Sequence, residues 1–208
     1  LHTAYRRQRQ MCIRDSLMIE QGKRMQNLVE DMLTLTRLES IDYPLRPEHV
    51  NIGNLLRQIL QEAEALSGGR HTISLTVEGP DIQGSTDELR SAFGNLVSNA
   101  VRYTPEGGRI EIKWQDTANG PQFSVKDSGI GIRAEHIVRL TERFYRVDKS
   151  RSRETQGTGL GLAIVKHVLL RHGAVLAIES QPEMGSTFIV KFDNTVAEND
   201  SAYLLKSQ

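Results

Sequence analysis

Apolar positions recur along this chain with helical and strand periods in turn, and each change of period marks an element. From Leu17 onward Met18, Met25 and Met32 stand seven apart, Leu28 and Leu35 fill the seam between them, and Val29, Leu33 and Leu38 broaden the stripe. The spacing predicts a helix of about five to six turns with a polar opposite face. A seven-residue repeat favours packing against other helices, in a bundle or dimer. An amphipathic helix packed on its own domain is the alternative. Pro44 and Pro47 break the pattern and mark a linker over 42–47. Upstream, Leu1–Ser16 is rich in Arg and Gln, and Tyr5, Met11 and Ile13 keep no common face. Its Met11–Ser16 run resembles a translated sequencing-adapter remnant, an artefact, and carries no functional weight. His2 reads as a solvated terminal side chain.

Beyond the prolines, His49–Ile52 reads as a short strand, and Leu55, Leu56, Ile59, Leu60, Ala63 and Leu66 as one face of a helix that stops near Gly68 and Gly69. His71–Val77 alternates as a strand, and Ile82 sits in a shorter one. Ser85 and Glu88 form a capping-box pattern before a helix whose apolar face is Leu89, Phe93, Leu96, Val97 and Ala100. Arg109–Trp114 and Gln122–Val125 make one hairpin, Thr158–His172 a helix, and Ala174–Glu179 with Thr187–Phe192 a second hairpin. The polar tail from Asp193 has no pattern. This order is α+β: one mixed or antiparallel sheet covered by helices on one face, a two-layer sandwich.

Composition narrows the function. Lys plus Arg and Asp plus Glu number 26 each, so the formal charge is zero, which argues against a general nucleic-acid binder. A single cysteine, Cys12, rules out an internal disulfide and suits a reducing compartment. No apolar run is long enough to cross a bilayer, so the chain as given is expected to be soluble.

Two glycine-rich turns carry the candidate chemistry. Asp127-Ser-Gly-Ile-Gly-Ile132 follows a strand, and Gly157-Thr-Gly-Leu-Gly-Leu162 opens a helix. A Gly-rich turn feeding a helix N-terminus presents free N–H groups to an anion, and a polar, Arg-rich stretch between two such turns suggests a nucleotide under a lid. Asp127 could accept a hydrogen bond from an exocyclic amine such as adenine's, although Asp-Ser-Gly is also a common turn. Asn95 and Asn99 lie four apart on one helix side, with Arg102 and Tyr103 continuing it. Their amide oxygens are neutral ligands suited to Mg²⁺ when phosphates supply the charge, and Arg102 could reach those phosphates. Exposed asparagines on a solvated face are the plainer reading.

In order, Asn95-Leu-Val-Ser-Asn99 with Arg102-Tyr103, Asp127-Ser-Gly-Ile-Gly131, Arg143-Phe-Tyr-Arg146, Gly157-Thr-Gly-Leu-Gly161 and Gly185-Ser-Thr187 resemble the N, G1, F, G2 and G3 boxes of sensor histidine kinases. That ATP-binding domain is of the gyrase/Hsp90/MutL (GHKL, or Bergerat) type. The likeness covers about Glu48 to Phe192. Leu140–Arg153, with Gly161–His167, is similar to the phosphate-regulon branch of the family.

The resemblance implies a division into an atypical segment 1–16, a second helix of a dimerisation hairpin over 17–41, the linker 42–47, an ATP-binding domain over 48–193 and a tail over 194–208. It implies ATP and Mg²⁺ as ligands, with Asn95 and Asn99 on the metal, Arg102 and Tyr103 beside phosphate and adenine, and Asp127 on the adenine amine, where Gly129, Gly131 and Ile132 shape the turn. Phe144 and Tyr145 would anchor a lid running from about Arg133 to Gln156. Arg146, Arg153 and Gln156 would reach phosphate, while Arg151 could equally be a solvated charge. Gly157, Thr158, Gly159, Leu160 and Gly161 would hinge the lid over the triphosphate, with Thr187 near the site. Trp114 and Lys113 read as plain strand residues. None of the six histidines stands in the family's His-Glu-Leu-Arg-Thr-Pro-like box, so this chain is expected to bind ATP without labelling itself. The resemblance further implies the C-terminal part of a kinase on the cytoplasmic side of the bacterial inner membrane. That kinase would be a homodimer through its helical bundle, and its partner a response regulator of the phosphate-regulon type. An ATPase switch of the gyrase or MutL type would need an acid where Asn95 stands, and a non-catalytic nucleotide-binding module is the third reading.

Overall fold

The structure, a computed structural model, describes residues 2–40, 42–147 and 157–192, with the side chains among them except those of 2–17, 19, 20 and 24. Its first element is a 38-residue helix, α1 (His2–Glu39). The helix therefore starts at His2 and not at Leu17. The absence of an apolar face in the first turns does not stop a helix, because nothing before Pro44 removes a backbone donor.

The apolar stripe of α1 divides between two surroundings. Leu35 and Leu38 are buried and Leu28 half-buried, against the rest of the domain. Met18, Met25, Val29, Met32 and Leu33 stay exposed. The leucine ridge thus packs on its own domain through the later helix Gly161–Arg171, while the methionine ridge faces outward.

After the prolines come β1 (Glu48–Val50), α2 (Ile52–Ser67), β2 (Thr72–Val77), β3 (Ile82–Gly84) and α3 (Thr86–Tyr103). Ile52 opens α2 instead of closing a strand, because Asn51 accepts the Asn54 N–H and caps the helix. The chain continues with β4 (Arg109–Thr117), β5 (Gly120–Asp127), the single turn α4 (Ala134–Ile137), α5 (Gly161–Arg171), β6 (Ala174–Gln181) and β7 (Gly185–Phe192). The residues from Thr158 to Leu160 are not helical; α5 starts at Gly161. Strands β4, β5, β6 and β7 all run longer than the alternation alone predicts, because hairpin pairing carries the ladder into polar residues.

The main sheet has the order β2-β4-β5-β7-β6. Only β2 pairs in parallel, with β4; the other neighbours are antiparallel. Helices α2, α3 and α5 cover one face, where Phe93 stacks on Phe123 at 4.1 Å and Trp114 meets Phe192 edge-on. Trp114 is wholly buried, and its indole N–H donates to the Pro80 carbonyl at 2.9 Å, so a plain strand position became a core anchor. Lys113, on the open face, pairs with Glu111.

The capping box at Ser85 is half made. Ser85 Oγ accepts the Glu88 N–H, but the Ser85 N–H donates to His172 Nε2 at 3.0 Å. Glu88 instead forms a two-bond ion pair with Arg171 at 3.0 Å. The end of α5 thereby replaces the reciprocal side chain and locks α3 to α5. His172 is nearly buried, and this burial pushes its pKa below the ordinary histidine value, with the Val168 carbonyl and Glu88 opposing.

Candidate nucleotide-binding site

Between α3, the turn after β5, the segment around α4 and the turn before α5 lies a cleft of about 330 Å³. One wall is α3. Its register brings Asn95, Asn99, Arg102 and Tyr103 to the opening, because positions four and seven apart share a side. Asn95 Nδ2 donates to the Ser91 carbonyl at 2.9 Å, which turns its amide oxygen outward against Gly161. A side chain at Gly161 would collide with that oxygen, so this glycine makes room for the asparagine.

The end of β5 forms the floor. Asp127 Oδ1 accepts two backbone N–H groups, from Gly129 at 2.8 Å and Ser186 at 3.2 Å. Both bonds fall on one oxygen, which leaves Oδ2 for a ligand in the cleft that Asp127 lines. Burial pushes the Asp127 carboxyl above the ordinary aspartate range, with the two N–H bonds pulling against it. The following turn is held on the β6–β7 hairpin by two bonds. The Ile132 N–H reaches Ser180 Oγ at 2.8 Å, and the Glu183 N–H reaches the Ile130 carbonyl at 2.8 Å. Gly131 has φ 66° and packs so closely that a Cβ would run into the Gln181 carbonyl; Gly185, at φ 90°, would run into that of Asp127.

On the lid side, the Tyr145 hydroxyl lies 2.7 Å from His136 Nδ1, and the Arg139 guanidinium stands 4.3 Å over its ring. Arg146 Nη1 donates to the Gly157 carbonyl at 2.6 Å, joining the lid segment to the turn before α5.

Thirteen of the sequence-predicted site residues line this cleft: Asn95, Asn99, Arg102, Tyr103, Asp127, Gly131, Ile132, Tyr145, Arg146, Gly157, Thr158, Gly159 and Gly161. Four do not. Gly129 acts through its N–H on Asp127. Phe144 is 56% exposed, in a left-handed conformation of φ 61°, and its N–H donates to the Gly159 carbonyl. Leu160 is wholly buried in the core. Thr187 pairs with Lys126, so strand alternation puts it on the face away from Asp127, and Ser186 takes the place beside the carboxylate. Arg151, Arg153 and Gln156 lie outside the described residues.

Sequence reasoning missed Ser186, which the alternation of β7 against Asp127 could have selected. It also missed Asn27, Glu30 and Asp31, by which α1 enters the cleft wall. Thr158 Oγ1 donates to Asp31 Oδ2 at 2.6 Å. At the end of α1, Glu39 pairs with Arg143 and, at 3.0 Å, with His167. No local signal announces contacts so distant in sequence.

Known proteins resemble this chain in sequence and fold. The family model described as histidine kinase-, DNA gyrase B-, and HSP90-like ATPase matches residues 84–196. The phosphate regulon sensor protein of Pseudomonas aeruginosa is 54% identical over 177 residues, which cover 84% of this chain and 40% of that protein. Its Haemophilus influenzae counterpart is 39% identical over 174 residues, covering 82% of this chain and 40% of that one. The chain thus spans about 40% of the length of these relatives. Among solved structures, the full-length ShkA in complex with AMPPNP superposes with a TM-score of 0.72 at 28% identity, covering 83% of this chain and 36% of that one. The mycobacterial sensor histidine kinase MprB superposes with a TM-score of 0.63 at 27% identity, covering 71% and 97%. The chain belongs to the family of histidine kinase-, DNA gyrase B- and HSP90-like ATPases, and its ATP-binding domain is of the sensor histidine kinase kind.

Proposed function

We propose that this chain is the ATP-binding catalytic part of a two-component sensor kinase of the phosphate-regulon type. The whole protein would pass the γ-phosphoryl of ATP to a histidine and from there to an aspartate of a response regulator. The observation that carries the reading is a division of labour across one cleft. A carboxylate with one oxygen fixed by two backbone N–H groups and the other free faces a helix bearing two amides and an arginine. Such a floor selects a ligand with an amine donor, and such a wall suits its polyphosphate. Likeness to the phosphate regulon sensors supports the signalling role.

The donor set also fits a hard cation. Asn95 and Asn99 lie one turn apart at the cleft, and the Asn95 amide is oriented with its oxygen outward by the Ser91 bond. These two would hold Mg²⁺, which when bound offsets the charge of the phosphates. Phosphoryl transfer asks mainly for positioning and charge neutralisation, and Asn99, Arg102 and Arg146 supply side chains for both. Asn95 is an amide and cannot take a proton from water, so the arrangement favours transfer to an imidazole over an ATPase switch. The exposed methionine ridge of α1 suits a helical bundle between two copies of the intact protein, and that protein would work at the cytoplasmic side of the inner membrane. Among the described residues no helix is long and apolar enough to cross a membrane.

The test is transfer in trans. Mixed with γ-labelled ATP, Mg²⁺ and a separate helical hairpin that carries the phosphoacceptor histidine, this chain should label the hairpin. Incubated alone it should bind ATP and stay unlabelled. Silence toward the hairpin despite ATP binding would leave a nucleotide-binding module instead of a kinase.

A further inference from the structure

The cleft is closed on one side by α1, which brings two acids to a place where a polyphosphate would lie. Asn27, Glu30 and Asp31 share the lining with Asn99, Arg102 and Thr158. Asp31 is bound there specifically: Thr158 Oγ1 donates to its Oδ2 at 2.6 Å, while the same hydroxyl accepts the Leu160 N–H at 3.3 Å. Arg102 is the cation that acts on it. A hydroxyl on the turn that opens α5 and a guanidinium on α3 are groups of the kind that hold phosphate oxygens. Here a carboxylate of the same chain takes the hydroxyl and lies in the field of the guanidinium. Burial pushes the Asp31 carboxyl above the ordinary aspartate range, opposed first by Thr158 and then by Arg102. Eight residues further along, Glu39 pairs with Arg143 of the lid segment and with His167 of α5, so the same helix is tied to both elements.

We propose that Asp31 is an intramolecular competitor of the triphosphate, so that docking of α1 and binding of ATP oppose each other through the phosphate groups. This rests on the reading that the cleft takes ATP with its phosphates toward Arg102 and Thr158. Like charges in a partly desolvated cleft repel strongly, and Asp31 also occupies the Thr158 hydroxyl that the nucleotide would take. A nucleotide with its full charge therefore loosens α1 at Asp31 and frees the Thr158 hydroxyl. Adenosine, which carries the base but no phosphate, leaves the contact in place. Coupling of this kind is reciprocal: whatever fixes α1 against the domain weakens ATP by the same factor.

The full chain is titrated with ATP and, separately, with adenosine, as wild type and as Asp31→Asn, which is close in shape and keeps an acceptor for Thr158. Asp31→Asn should bind ATP roughly tenfold more tightly at low salt, with the gain shrinking as salt rises, and should bind adenosine as wild type does. Hydrogen exchange supplies a second readout: ATP should speed exchange of the α1 amides around Asp31 in the wild type, and adenosine should not. Unchanged or weaker ATP binding by Asp31→Asn would overturn the proposal, as would equal tightening for ATP and adenosine, or slower α1 exchange with ATP. If the wild type bound neither ligand, the assignment of the cleft to ATP would fall instead.

Discussion

Replacing Asp127 by Asn tests the cleft at the position where its geometry is most specific. In the wild type Oδ1 accepts N–H groups from Gly129 and Ser186, and Oδ2 is left to the ligand. An asparagine keeps the first function, because its amide oxygen can sit where Oδ1 does. It inverts the second: an NH₂ group then points into the cleft, toward a ligand amine that also donates. The variant loses a charge-assisted hydrogen bond, worth about 1.5–3 kcal/mol, so affinity for ATP should fall roughly 10- to 150-fold. Folding should not suffer, since the charge removed is one that burial already disfavours. Titration with a fluorescent nucleotide reads the affinity, and thermal unfolding of the same samples reads the fold. Lys113→Ala, on the open face and paired with Glu111, is the control and should bind like wild type. Equal affinities in Asp127→Asn and Lys113→Ala, with both proteins folded, would refute the assignment of the floor.

Other perturbations probe the frame around the site. Gly185→Ala would place a Cβ against the Asp127 carbonyl at a positive φ, and should lower stability by about 1–3 kcal/mol and weaken nucleotide binding, as read by urea unfolding and titration. Arg171→Ala leaves the largely buried Glu88 without its partner, so it should cost roughly 3 kcal/mol in the same unfolding assay. Because His172 is held neutral with a lowered pKa, the unfolded chain takes up a proton that the folded chain refuses once pH drops below about 6.5. Stability should therefore decline from that pH downward until the folded pKa is passed. Unfolding curves of wild type and His172→Gln between pH 8 and pH 5, the range of about 3 units around that value, should show the variant with the flatter slope. Asp127, whose carboxyl burial shifts upward, acts on ligand binding in the same direction. Affinity for ATP should be lost as pH falls through its raised pKa, earlier than an ordinary aspartate would allow.

How much of this could be read from the chain depends on the range of the force involved. Alternation and helical spacing report which face a neighbouring layer covers, so Leu89, Phe93, Leu96 and Val97 declared their burial before any fold was known. Glycine turns also announce themselves locally, since their backbone demands belong to single residues such as Gly131. What stayed hidden was decided by pairing. Ser186 replaced Thr187 at the site because β7 aligns Ser186 with Asp127, and a shift of one residue in that register would have reversed the two. Phe144 looked like a lid anchor by its side chain, but works by its N–H on Gly159. The capping box failed on its reciprocal side because His172, from the far end of α5, competes for the Ser85 N–H.

The largest omission was α1. Its heptad stripe speaks of helix partners, and an exposed methionine ridge remains for them. Nothing in that stripe says that the flank beside it, with Glu30 and Asp31, turns into the cleft. Asp31 and Thr158 are 127 positions apart, and bringing such distant groups together costs loop-closure entropy that only the packed domain offsets. The buried Leu35 and Leu38 supply the offset by seating the helix beside α5. Once the helix is seated there, the charge of Asp31, one turn before Leu35, has no neutral choice: it must meet a donor of the cleft such as Thr158 or be expelled by whatever anion takes it. A helix whose apolar ridges face two ways, one inward to the catalytic domain and one outward, is thus placed so that a change on either side is felt at the phosphates. Burying the methionine ridge against a second helix would shift α1 only if the leucine ridge yielded, and Asp31 is the side chain through which that shift would reach ATP.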